Sequence, residues 1–156
     1  MALPDCGLYR TTQALPDHPE KVPAGRLVYF HNHSHAEKPI VMLPESNASN
    51  KWAFHTGGYL IAREGWVRSL RPMKAEGVYL TSEAFQTTRG QHVEAGQLVQ
   101  LGYNRDADPL VFFPRTDKAT NSLVFPAQGM KVSTSVYESL RRVSTRGPQT
   151  PGTTVN

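Results

Sequence analysis

The chain repeats itself. Val22-Pro23-Ala24-Gly25-Arg26-Leu27-Val28 returns as Val93-Glu94-Ala95-Gly96-Gln97-Leu98-Val99, with five of the seven positions identical. The flanks agree in the same order. Gly7-Leu8-Tyr9 returns as Gly77-Val78-Tyr79, and Pro39–Pro44 as Pro109–Pro114. Asn50-Lys51-Trp52-Ala53-Phe54 returns as Asn121-Ser122-Leu123-Val124-Phe125, and Ser69-Leu70-Arg71 as Ser139-Leu140-Arg141. An offset that stays near seventy residues through every match marks an internal duplication. It divides the 156 residues into a leader at 1–6, a first unit at 7–73, a linker at 74–76, a second unit at 77–143 and a tail at 144–156. A unit of this size buries little surface alone, so the two are expected to pack together and share apolar surface.

Within each unit the local pattern is that of strands. No window carries an apolar stripe at i, i+3, i+4, i+7, which argues against long helices. Short apolar runs separated by Gly, Pro and Asn turns argue for antiparallel β structure. In the first unit strands are expected at Leu8–Thr11, Arg26–Phe30, Ile40–Leu43, Lys51–His55 and Tyr59–Ile61. The last two are expected to pair as a hairpin across Thr56-Gly57-Gly58. Trp66–Leu70 reads as one helical turn before a closing strand at Arg71–Met73. The run Leu27-Val28-Tyr29-Phe30 is apolar at every position, so both faces of its strand need cover. The second unit repeats the plan, with Leu123–Phe125 and Met130–Val132 as its hairpin pair. The tail from Ser144 is polar and rich in breakers, and is expected to stay mobile.

The order Gly-Leu-Tyr, a long polar loop, Val-Pro-Ala-Gly-Arg-Leu-Val-Tyr-Phe, then Lys-Trp-Ala-Phe, Gly-Gly-Tyr and Trp-Val-Arg-Ser-Leu resembles the strand order of SH3-like barrels. Both units are similar to that plan. The resemblance implies a mainly β protein of two tandem repeats, each a small antiparallel SH3-like barrel or sandwich packed against the other. One larger barrel built from both halves fits the same strands. The acidic loop and aromatic peptide groove of such barrels have no counterpart here, nor does the Pro39–Pro44 strand belong to the plan.

Composition narrows the classes. No run of about eighteen apolar residues exists, so no membrane-spanning helix is expected. The N-terminus lacks the basic start and apolar core of a secretory signal. Cys6 is the only cysteine, which fits a reducing, cytoplasmic setting, and its surroundings in sequence give it no catalytic context. The net charge of +4 and pI near 9.4 permit an acidic partner such as nucleic acid, but the basic residues are scattered and form no run.

Two clusters could carry chemistry. His31, His33 and His35 stand at i, i+2 and i+4, so an extended segment would point all three imidazoles one way, as a zinc site requires. Glu37 continues the spacing as a fourth ligand or base, and His55 could join them. The matching stretch of the second unit, Gly102-Tyr103-Asn104-Arg105-Asp106, holds no histidine. Trp66 lies among Arg63, Arg68 and Arg71 and could form with them a binding edge. No nucleophile elbow, P-loop or dinucleotide fingerprint occurs, so no catalytic residue is assigned. The expected function is non-catalytic binding or scaffolding through loops and the groove between units, with a protein or peptide partner. A metal-binding protein or metal-dependent enzyme and a nucleic-acid-binding module are the alternatives.

Overall fold

The computed structural model describes residues 2–33 and 37–143. The expected mobile tail and His35 lie outside them. The protein is mainly β, with antiparallel sheets and, among the described residues, no closed barrel.

The first half runs β1 (Gly7–Arg10), β2 (Leu27–His31), β3 (Ile40–Met42), β4 (Pro44–Ala48), β5 (Lys51–Phe54), β6 (Tyr59–Leu60), a 3-10 helix (Glu64–Ser69) and β7 (Arg71–Pro72). The second half runs β8 (Gly77–Leu80), β9 (Phe85–Gln86), β10 (His92–Val93), β11 (Leu98–Tyr103), β12 (Pro109–Phe112), β13 (Arg115–Asp117), β14 (Ser122–Val124), β15 (Met130–Lys131), α1 (Thr134–Ser139) and β16 (Arg141–Arg142). Five strands of the first half form one sheet in the order β6-β3-β2-β1-β7. Five of the second form another, β15-β12-β11-β8-β16, with the same chain course.

The recurring seven-residue stretch has one structural cause in both halves. Thr11 Oγ1 donates to the Pro23 carbonyl (2.7 Å) and accepts from Arg26 N–H (2.9 Å). Thr81 Oγ1 donates to the Glu94 carbonyl (2.8 Å) and accepts from Gln97 N–H (2.9 Å). The glycine between them turns left-handed, φ 76° at Gly25 and 81° at Gly96, where a side chain would be strained. Its N–H donates back to the threonine carbonyl at 2.7 Å in each half. The closing turns also agree. Trp66 N–H donates to Arg63 C=O, and Ser69 and Ser139 hydroxyls cap Trp66 and Val136 carbonyls.

The expected hairpin pairing is corrected. Lys51–Phe54 does not pair with Tyr59–Leu60. It pairs with β4 as a separate two-stranded sheet, and β6 pairs with β3. Ser49 and Asn50, at φ 52° and 63°, make the turn that closes β4 onto β5. Gly58 lets the chain return to β3: a Cβ there would lie 2.6 Å from the Val41 carbonyl oxygen. The second half does the same, with β14 on β13 and β15 on β12.

Two apolar clusters form the core. Val28 and Phe30 of β2 point into the first, with Tyr9, Val41, Ile61 and Trp66. Leu27, on the opposite face of β2, is fully buried in the second, with Tyr79, Val99, Leu101, Tyr103 and Val111. The need for cover on both faces of that strand is met by the two halves together. Trp52 and Phe54, though they belong to the first half, pack against the second.

Candidate functional site

Where the halves meet, the β4–β5 hairpin leaves its own sheet and lies on the second half. Its tip is locked by a buried clamp. Asn50 Nδ2 donates to Gln100 Oε1 (2.8 Å) and to the Pro126 carbonyl (3.0 Å), while Gln100 Nε2 donates to the Ser49 carbonyl (3.0 Å). Gly102 makes room: a Cβ there would meet Asn50 O and Phe112 Cε2, each at 3.0 Å. Along the strand, Trp52 Nε1 donates to the Tyr103 carbonyl (2.7 Å), and the Arg105 guanidinium stands 5.3 Å from the indole centre. At the other side, Leu27 N–H donates to the Arg105 carbonyl, and Arg26 pairs with Asp106 at 3.0 Å.

Beside this hairpin a cleft of ≈ 490 Å³ opens on the first half, against the Ala75-Glu76 linker. Tyr29, Trp52 and Phe54 wall it, with Cys6, Met73 and Glu76 along its length. The Tyr29 and Phe54 rings are tilted, 5.6 Å apart. Glu76 sits half-buried and accepts Trp52 N–H at 3.2 Å. Burial raises its pKa above the ordinary 4.5, against the Trp52 hydrogen bond and the Lys51 charge, which lower it. Behind the cleft Tyr103 and Tyr137 hydroxyls share a hydrogen bond of 2.9 Å. Burial pushes the Tyr103 phenol well up. Tyr137 accepts Lys74 N–H, and the Lys74 ammonium, its pKa lowered by burial, caps the Glu138 and Leu140 carbonyls.

The residues singled out from sequence are dispersed. His31 and His33 are adjacent, ring centres 5.3 Å apart, and Glu37 is exposed with φ 57°. His35 lies outside the described residues. Among the described residues no group of three or more His, Cys, Asp or Glu is arranged to hold a metal ion. His55 stays local, accepting Gly57 N–H at 3.0 Å. Trp66 is buried, 6% exposed, and its indole N–H is shared between the Gln13 and Ala14 carbonyls. Arg63, Arg68 and Arg71 around it are exposed. Arg68 lines a second concavity of ≈ 550 Å³, between Leu3-Pro4 and Val67–Leu70, whose charged groups, Glu64 and Arg68, are on the surface.

Folding gives Cys6 contacts that its sequence neighbours do not supply. His31 Nδ1 lies 3.4 Å from Sγ and Asn32 Oδ1 3.2 Å, with Asn32 N–H donating to the sulfur at 3.3 Å. Sequence reading missed the cleft itself. The one available signal was Trp52-Ala53-Phe54, two large aromatics on one strand face, where the second unit carries Leu123 and Phe125. No protein-family model, curated protein or solved structure matches the chain.

Proposed function

We propose that the chain is a non-catalytic binding protein of two SH3-like units, and that the cleft where the first unit meets the linker takes a segment of a protein partner. The observation that carries this reading is the cleft's chemistry: three aromatic walls beside a half-buried carboxylate, Glu76. Aromatic faces favour an apolar stem and attract a cation. A half-buried carboxylate favours a donor that replaces the water it lost. A lysine or arginine side chain in an extended peptide supplies both. The shared hydrogen bonds at Thr11 and Thr81, and the common order of the two sheets, support the reading of the halves as equivalent units.

Selection of a random peptide library on the immobilised full chain tests the idea. Peptides enriched in one basic residue beside apolar ones are expected, and Glu76→Gln and Tyr29→Ala are each expected to weaken the selected peptides by about tenfold. An absence of enrichment, or peptides that bind both variants as well as the parent, would sink the reading.

A further inference from the structure

We infer that this chain associates head to tail with copies of itself, the β13–β14 hairpin of one copy docking on the face around Cys6 and Asn32 of the next. The inference rests on the reading of the two halves as equivalent units.

The β4–β5 hairpin shows what such a hairpin does. Its tip residue Asn50 is only 8% exposed, clamped by Gln100 and the Pro126 carbonyl. Trp52 lies against the second core, bonded to the Tyr103 carbonyl and Glu76. The β13–β14 hairpin has the same course. Asn121, at Asn50's place, shares its left-handed backbone, φ 50° against 63°. Yet among the described residues nothing covers this hairpin as the second half covers β4–β5. Asn121 is exposed, Leu123 stands 58% exposed where Trp52 is docked, and Val124 is 46% exposed on the opposite face. The exposed Leu123 face, beside a polar tip that has a buried equivalent, marks a contact surface without its cover; Val124, like its counterpart Ala53, faces away from it.

The duplication also says what covers it. Glu76 and Tyr103 receive Trp52; by the same offset the first half offers Cys6 and Asn32. Both are half-exposed, with Tyr29 and His31 beside them. Among the described residues the second half thus carries an uncovered hairpin and the first half the matching face. Repeating the step from first half to second makes a heterologous contact, which builds a ring or an open filament. The contact is looser than the internal one. His31 stands where Gly102 admits the tip, and Leu123 offers less surface than Trp52. The association is therefore reversible and dependent on concentration.

Cys6, the only cysteine, makes the geometry testable. In the full chain carrying Leu123→Cys, mild oxidation is expected to give a ladder of dimers and higher multimers, with peptide mapping joining position 123 of one chain to Cys6 of another. Links only between two copies of position 123, or a monomer alone, overturn the proposal. Sedimentation of the unmodified chain over a wide concentration range is the second measurement. Mass is expected to rise with concentration, Leu123→Asp to weaken association by at least about tenfold, and Val124→Ser to leave it nearly unchanged. Monomer throughout, or association indifferent to Leu123→Asp, also overturns it. Peptide selection dependent on Glu76 but without self-association leaves the cleft reading standing. Self-association without peptide binding removes that reading and keeps this one.

Discussion

Glu76 holds a carboxylate in a place that disfavours its charge. Its folded pKa is raised, chiefly by burial, so the folded state binds its proton more tightly than the unfolded chain does. Stability from this group is fully present below the ordinary 4.5 and is lost as the pH rises through the raised value. Glu76→Gln keeps an acceptor for Trp52 N–H and removes the charge. At pH 7 the variant is expected to be at least as stable as the parent in urea, with the difference vanishing below the ordinary carboxyl range; a variant less stable at neutral pH contradicts this. Trp66 makes the opposite case. The indole fills the first core and donates to two carbonyls, so Trp66→Ala is expected to cost about 3–5 kcal/mol, read from the denaturant midpoint. The sequence placed Trp66 among arginines, and that placement is correct along the chain. Which way the indole points is set by the loop Gln13-Ala14, more than fifty residues earlier, whose carbonyls no local pattern assigns to it.

At the scale of elements, the two hairpins are the instructive pair. Both turn on an asparagine with positive φ, and only one is docked. Glycine relieves the backbone at either place, so Asn→Gly isolates the side chain. Asn50→Gly is expected to lose about 1–3 kcal/mol, since Gln100 Oε1 and the Pro126 carbonyl lose their donor in a buried site. Asn121→Gly is expected to stay within about 0.5 kcal/mol of the parent in the isolated monomer. Equal losses would mean that the clamp contributes nothing. Gly58→Ala tests the correction to the pairing. Its Cβ would meet the Val41 carbonyl backbone, and a loss of about 1–3 kcal/mol is expected from thermal unfolding. Strand positions were readable because apolar runs fenced by breakers are local: β2, β3, β5 and β6 fall within a residue or two of their expected bounds. Pairing was not. Two short strands separated by Thr56-Gly57-Gly58 look like a hairpin, and the choice of β4 over β6 as partner follows from the Ser49-Asn50 turn and from where β3 lies in space.

For the whole molecule, the two cores do not divide at the linker. Leu27 is buried in the second, and Leu8, Trp52, Phe54 and Met73 of the first half pack against it. Unfolding is therefore expected as one cooperative transition, with tryptophan fluorescence and far-ultraviolet circular dichroism coinciding; two separated transitions would show independent halves. A chain of residues 1–73 alone is expected to expose Trp52, with red-shifted emission. Taken by itself, the sequence determined the β class, the places of most strands and the seventy-residue correspondence, because each depends on residues close in the chain or on simple self-comparison. The tertiary structure decided which strands pair, that Trp52 and Phe54 cross to the other half, that His31 and Asn32 come to Cys6, and that a cleft opens beside Glu76. Apart from the local β4–β5 pairing, each of these joins residues about eighteen or more positions apart, through packing and hydrogen bonds that no local pattern assigns.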